Sequence, residues 1–143
     1  MAGGHRLLVV SNRAPVEMTT GADGPQFVRT VGGLATALDN VLRERGGTWV
    51  AWVGPHAEEV VAPVASGLSY PIHAVRLKER EINNYYAGFA NQVLWPLCHM
   101  FTSRCNFQPA FWTAYRQANE RFAAAAQAAA QPGDLVWVHD FHL

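Results

Sequence analysis

Short apolar runs and stretches of helical periodicity alternate along this chain, and both patterns begin near its start. The apolar run at residues 6–10 predicts a buried strand, which the polar turn at residues 11–13 brings to an end. After a loop, a helix is predicted to begin at Gly32-Gly33 and to bury one apolar face. That face consists of four residues at helical spacing: Leu34, Leu38, Val41 and Leu42.

Three further apolar runs predict strands, at residues 48–54, 73–77 and 134–140. Two stretches contain no such run. Residues 17–29 connect the first strand to the first helix, and residues 55–71 contain scattered Pro, Gly and Ser. We predict that both stretches are loops.

Two more helices are predicted in the second half of the chain. Apolar and aromatic residues recur at helical spacing over residues 78–91, and this helix should end near Trp95, because Pro96 disfavours helical geometry in the residue before it. Residues 109–130 begin with Pro109, which suits a first helical turn, and continue into a run of alanines that are strong helix formers.

The order strand, helix, strand, strand, helix, helix, strand predicts an α/β fold: a Rossmann-like, mostly parallel sheet with helices on both faces. Ligands in such sheets bind outside the carboxyl ends of the strands. Arg13 and Asp140 each follow a predicted strand, so we expect both at that edge. The chain stops soon after the last strand, before a helix that would cover it, so we expect residues 1–143 to be the incomplete first part of a longer protein.

Composition narrows the class of partner. Lys plus Arg and Asp plus Glu both number 11, which argues against a nucleic-acid or membrane-surface partner. No apolar run is long enough to span a bilayer, and the start lacks the apolar core of a signal peptide, so we predict a cytoplasmic protein.

Cys98 and Cys105 lack C-x-x-C spacing and are predicted to be free thiols. His139 and His142 would need two more ligands to hold a metal, so none is expected.

The first loop and helix have the chemistry of a phosphate site. A helix N-terminus presents unpaired N–H groups and partial positive charge, glycines allow a ligand to approach the backbone, and the Arg13 guanidinium matches phosphate oxygens. The dinucleotide fingerprint G-x-G-x-x-G is absent after the strand. The alternative is that Arg13 is a surface charge and Gly32-Gly33 a turn, and the spacing alone leaves both interpretations open.

Four segments in order carry a family resemblance: VVSNRAPV, GGLATAL, YYAGFANQVLWPLCH and GDLVWVHDFHL. They resemble the retaining glucosyltransferases that make trehalose 6-phosphate, which are GT-B enzymes with two Rossmann-like domains. These enzymes transfer glucose from a nucleotide sugar, typically UDP-glucose, to glucose 6-phosphate. The resemblance implies that residues 1–143 are the truncated N-terminal, acceptor-side domain, that the C-terminal donor domain is absent, and that the isolated chain turns over little or nothing.

The resemblance also implies site residues, with glucose 6-phosphate and UDP-glucose as small-molecule substrates. Five residues are expected at the acceptor: Arg13, Trp52, Tyr86, Trp95 and Asp140. Gly32 and Gly33 are expected at the donor diphosphate. It implies no cofactor beyond UDP-glucose as co-substrate, assigns no catalytic side chain within this chain, and allows a homo-oligomer for the full-length protein. Phe141 stands where the family usually has Tyr.

Taken singly, several of these residues fit ordinary structural roles. Tyr86 is also compatible with a core position, Trp95 with packing, and Asp140 with a helix cap. His139 and His142 are assigned structural roles.

Three other functions are compatible with the sequence. A related glycosyltransferase with another phosphorylated acceptor, such as a glucosylglycerol-phosphate synthase or a pseudo-glycosyltransferase acting on cyclitols, would use the same arginine. A non-catalytic sugar-phosphate-binding module would retain the site without turnover. An unrelated α/β nucleotide-binding domain would bind nucleotide through this chain alone.

Overall fold

A computed structural model of the protein describes residues 5–22, 24–30, 32–54, 60–63 and 67–143. The strands are β1 (Leu7–Arg13), β2 (Val16–Gly21), β3 (Gly24–Arg29), β4 (Gly47–Trp52), β5 (Val60–Val61), β6 (Ile72–Ala74) and β7 (Leu135–Val138). The helices are α1 (Gly33–Arg45), α2 (Glu79–Ile82), a π-helical segment (Asn83–Leu94), α3 (Trp95–Cys98) and α4 (Pro109–Ala129). The consecutive segments α2, the π-helical segment and α3 are called the composite helix below.

Five strands form one sheet in the order β5-β6-β4-β1-β7, and every pairing is parallel except that of β5 with β6. β1 lies between β4 and β7, with Leu7 opposite both Gly47 and Leu135. The predicted α/β fold with a mostly parallel sheet is confirmed. The strand predicted at residues 73–77 is shorter in the structure, where β6 occupies Ile72–Ala74 only.

Alternating residues of β1 enter two separate hydrophobic clusters, because successive strand side chains point to opposite faces of the sheet. Leu7 and Val9 pack in the cluster that contains Leu38 and Leu42 of α1. Leu8 and Val10 pack in the cluster that the composite helix and α4 cover, which includes Phe122. Helices therefore cover both faces, as predicted. Of the predicted α1 face, Val41 is partly buried, and the side chain of Leu34 lies outside the described part of the chain.

The prediction of a loop at residues 17–29 was wrong, because β2 and β3 form an antiparallel hairpin there. Met18 and Phe27 face each other across the hairpin and pack against the core. Their burial supplies the stability that a two-stranded hairpin lacks by itself. In the second predicted loop, β5 pairs with β6, while residues 55–59 and 64–66 lie outside the described part of the chain.

The helix predicted to end near Trp95 instead continues through Cys98. The Trp95 N–H donates to the Ala90 carbonyl five residues earlier, which is the hydrogen bond of a π-helix. Trp95 itself keeps helical dihedral angles before Pro96. α4 packs so closely on this helix that a methyl group at Gly88 would lie 2.7 Å from Cδ1 of Phe111.

A buried carboxylate ties the hairpin to α1. Asp39 accepts hydrogen bonds from the Tyr70 hydroxyl (2.7 Å), Arg29 (2.9 Å) and Arg43 (3.0 Å). Burial alone raises the pKa of Asp39, but these three hydrogen bonds outweigh it and lower the pKa below its ordinary value. We call these four residues the Asp39 cluster.

Strand β7 lies at one edge of the sheet. All four side chains of β7 are exposed, although each is apolar. Cys98 and Cys105 are free, as predicted. Across the residues that are described, no helix is long and apolar enough to cross a membrane.

Candidate functional site

A crevice of about 210 Å³ opens at the carboxyl ends of β1 and β7. Its lining includes Arg13 from the end of β1, Gly32 before α1, Tyr86 from the composite helix, and Asp140 and His142 after β7. Four separate parts of the chain therefore meet at the sheet edge where α/β folds bind ligands.

Buried polar side chains hold the backbone that carries Arg13. The Trp49 indole N–H donates to the Ser11 hydroxyl (2.8 Å), and that hydroxyl donates to the Arg13 carbonyl (2.7 Å). The Tyr85 hydroxyl donates to Oδ1 of Asn12 (3.1 Å). Strand pairing with β4 is also irregular between Val10 and Arg13. Ser11 and Asn12 are consequently buried as backbone supports, while the Arg13 side chain is exposed.

The Arg13 guanidinium lies over the ring of Tyr86, with 5.4 Å between Cζ and the ring centroid. That distance is within the range of a cation–π contact. No carboxylate in the described part of the chain forms an ion pair with Arg13. Because a guanidinium presents five N–H donors in a planar fork, this side chain is available to a phosphate or carboxylate in the crevice.

Asp140 is held at the crevice by the end of β7. The His139 N–H donates to the Val10 carbonyl (2.8 Å), which extends the pairing of β7 with β1 by one residue. Asp140 then adopts a left-handed conformation, with φ of 73°, and its Oδ1 accepts a hydrogen bond from the Phe141 N–H (2.8 Å). Aspartate tolerates this conformation because its short side chain bonds locally. The turn places the carboxylate in the lining of the crevice.

His142 also lines the crevice, although the sequence suggested only a structural role for it. Its ring stacks on Tyr86, with 5.2 Å between ring centroids. Burial lowers the pKa of His142, and the positive charge of Arg13 and the neighbouring His139 lower it further, whereas Asp140 raises it. The net shift is downward, so the imidazole is neutral at pH 7.

The start of α1 is open on the crevice side. Gly32 has an extended φ of 175°, which any residue can adopt, and its carbonyl accepts hydrogen bonds from the Thr36 hydroxyl and N–H. A methyl group at Gly32 or Gly33 would meet no atom of the described chain within 4 Å. Neither strain nor packing therefore explains the glycine pair. Gly32 lines the crevice, whereas Gly33 is the next residue along and is not in the lining.

Two of the predicted acceptor residues lie outside the crevice lining. Trp52 lines a smaller adjoining cleft together with Arg13. Its indole N–H is buried and has no hydrogen-bond partner among the described residues. Trp95 is 43% exposed and stacks on His99, with 4.0 Å between ring centroids, so it belongs to neither cleft. The structure thus brings together Arg13, Gly32, Tyr86 and Asp140, and the ligand roles of all seven residues stay predictions.

An α/β domain with a crevice at the carboxyl edge of its mostly parallel sheet is the class that this fold and site define. The family model described as glycosyltransferase family 20 matches residues 5–143. This chain belongs to that family, and the resemblance stated from its sequence motifs is confirmed.

The relatives include a trehalose-6-phosphate synthase of Mycobacterium tuberculosis, 40% identical over 99% of this chain and 30% of that protein. An E. coli trehalose-6-phosphate structure bound with UDP-2-fluoro glucose is 30% identical, with a TM-score of 0.72 over 96% of this chain and 28% of that one. A Burkholderia xenovorans alpha,alpha-trehalose-phosphate synthase (UDP-forming) in complex with glucose-6-phosphate is 27% identical, with a TM-score of 0.69 and the same two coverages. The chain spans between 20% and 30% of the length of curated relatives that it matches.

Proposed function

We propose that this chain is the acceptor-side part of a retaining trehalose-6-phosphate synthase, which transfers glucose from UDP-glucose to glucose 6-phosphate. The observation that carries the proposal is that Arg13, Tyr86, Asp140 and the glycine start of α1 border one crevice in a member of glycosyltransferase family 20. Relatives bound with a UDP-glucose analogue and with glucose 6-phosphate support the choice of substrates.

In this proposal the acceptor phosphate binds at Arg13. The exposed guanidinium donates two parallel hydrogen bonds to phosphate oxygens, and the Tyr86 ring supports it from behind. A planar fork of N–H donors with no carboxylate paired to it in the described part of the chain suits an anion rather than a neutral sugar.

The sugar ring of the acceptor then lies towards Asp140. An ionised carboxylate only accepts hydrogen bonds, and its natural partners are sugar hydroxyl groups. One oxygen of Asp140 already accepts from the Phe141 N–H, which fixes the orientation of the group and leaves the other oxygen for the ligand. The acceptor is therefore held at two ends, with phosphate at Arg13 and hydroxyls at Asp140.

The donor diphosphate lies at the start of α1. The first-turn N–H groups have no helical acceptor, and no acidic residue stands in that turn to compete for them. Partial positive charge at the helix start stabilises the negative charge that develops on the leaving diphosphate, which is the main demand of this reaction. The open space beside Gly32 and Gly33 allows that approach. The proposed transfer uses UDP-glucose as co-substrate and no other cofactor.

Calorimetric titration of the chain with glucose 6-phosphate tests the acceptor half of this proposal. Arg13→Ala removes charged hydrogen bonds worth roughly 1.5–3 kcal/mol, so the affinity should fall about 10- to 150-fold. Arg116→Ala is the matched control, because Arg116 is exposed on α4 and pairs only with Glu120 among the described residues. If Arg13→Ala binds glucose 6-phosphate as tightly as wild type does, the proposed acceptor site is wrong.

A further inference from the structure

Four side chains form successive stacking contacts beside the crevice, and three of them line it: Arg13, Tyr86 and His142. The Arg13 guanidinium lies over Tyr86 (5.4 Å), Tyr86 stacks on His142 (5.2 Å between centroids), and His142 stacks on Phe141 (4.1 Å). Both ring pairs are inclined by only 28°. This aromatic column joins β1, the composite helix and the segment after β7, and Arg13 is its end on β1.

The faces of the His142 ring make its stacking contacts, whereas its Nδ1 makes no hydrogen bond within the described part of the chain. Nδ1 is buried and has no hydrogen-bond partner in the described part of the chain, and its nearest carboxylate oxygen, Oδ2 of Asp140, is 3.7 Å away. Only 13% of the side chain is exposed. A buried polar atom without a partner is unfavourable, so packing of the ring against Tyr86 and Phe141 is what retains it there.

We propose that His142 is a positioning residue of the acceptor site: its ring backs Tyr86, and Tyr86 in turn holds the Arg13 guanidinium over the phosphate position. The proposal rests on the proposed function, because it gives Arg13 the acceptor phosphate. It concerns the ring face and not the charge. The groups facing the imidazole are Arg13, Tyr86, Asp140 and His139, and their combined effect with burial keeps it neutral at pH 7.

Order in the column matters for binding because an exposed arginine has many rotamers. Fixing a long side chain on binding costs conformational freedom, and a guanidinium already held on an aromatic face has less to lose. If Tyr86 lost its backing ring, Arg13 would have to be ordered by the ligand alone. The expected loss is that of one cation–π contact, which corresponds to about five- to tenfold in affinity.

Three variants at one position separate the ring from the nitrogen. Titration with glucose 6-phosphate at pH 7.5 should show His142→Phe within about twofold of wild type, since it retains an aromatic face for the stack while it removes both ring nitrogens, of which Nδ1 has no partner among the described residues. His142→Ala should bind about five- to tenfold more weakly. If His142→Ala does not fold, His142→Leu replaces it, because leucine fills similar space without an aromatic face. His142→Phe as weak as the Ala or Leu variant, or an Ala variant equal to wild type, would overturn the proposal.

A double-mutant cycle with Arg13 distinguishes positioning from a general structural effect. In an Arg13→Ala background, His142→Ala should weaken binding by less than about twofold, because the group that it positions is gone. An undiminished loss in that background would show that His142 does not act through Arg13. If Arg13→Ala alone does not weaken binding, the proposed function is wrong and this inference is wrong with it. If binding depends on Arg13 but not on His142, only the inference is wrong.

Discussion

The hydrogen bonds behind Arg13 make Ser11 a sensitive position for both stability and binding. Ser11→Ala removes the acceptor of the Trp49 indole N–H and the donor to the Arg13 carbonyl. Trp49 is fully buried, at 0% exposure, so its indole N–H is left without its hydrogen-bond partner. A stranded buried donor costs about 1–3 kcal/mol and a lost neutral hydrogen bond about 1 kcal/mol, so we expect about 2–4 kcal/mol of destabilisation.

Urea denaturation followed by tryptophan fluorescence measures this loss. Ser103→Ala is the matched control, because Ser103 is an exposed serine in the short helical turn Thr102–Arg104. It should change stability by less than about 0.5 kcal/mol. A loss below about 1 kcal/mol for Ser11→Ala would mean that the buried indole finds another acceptor, and the account of this turn would be wrong.

The same variant also tests the link from the turn to the site. The Ser11 hydroxyl donates to the backbone carbonyl of Arg13 and so holds the residue that carries the guanidinium. In the proposed function, Ser11→Ala should therefore weaken glucose 6-phosphate binding by a few-fold while Arg13 is still present. With Trp49→Phe in the background, Ser11→Ala should cost about 1–3 kcal/mol less in stability, since no indole N–H is then stranded.

Two other predictions concern the fold that supports the site. The pKa of Asp39 is lowered in the folded state, so its stabilisation is present above the unfolded pKa of about 3.9 and is lost as pH falls through the lower folded value. Asp39→Asn should flatten the acid side of a plot of unfolding free energy against pH, and an unchanged acid slope would contradict this. Gly88→Ala should destabilise by about 1–3 kcal/mol through its clash with Phe111. Gly33→Ala, which meets open space, should not lower the melting temperature, and equal losses for both variants would contradict the packing of α4.

Several elements could be predicted from local pattern alone. The strands β1 and β4 are short apolar runs that are buried on both faces, as such runs predict, and α1 and α4 show helical periodicity. The apolar run at β7 also predicted a strand, although its side chains are exposed. The hairpin β2–β3 was missed, although alternating residues before Gly21 and after Gly24 carried a signal for it. No local pattern predicted that the helix continues past Pro96. The residues before Pro96 form a π-helical segment, and its wider hydrogen bonding cannot be deduced from residue spacing.

The sequence by itself determined which residues are candidates for the site: a polar turn after β1, a glycine pair before α1, and an aspartate after β7. Only the tertiary structure brings these residues together. The parallel pairing of β1 with β7 sets Val10 beside Val138, although most of the chain lies between them in sequence. That register brings Arg13 and Asp140 to one crevice, and helix packing adds Tyr86 and His142. Sequence spacing describes neighbours within an element, whereas contacts between elements depend on how buried faces pack together. For that reason Trp95, which the motif placed at the acceptor, lies outside the crevice lining, and His142 lies within it.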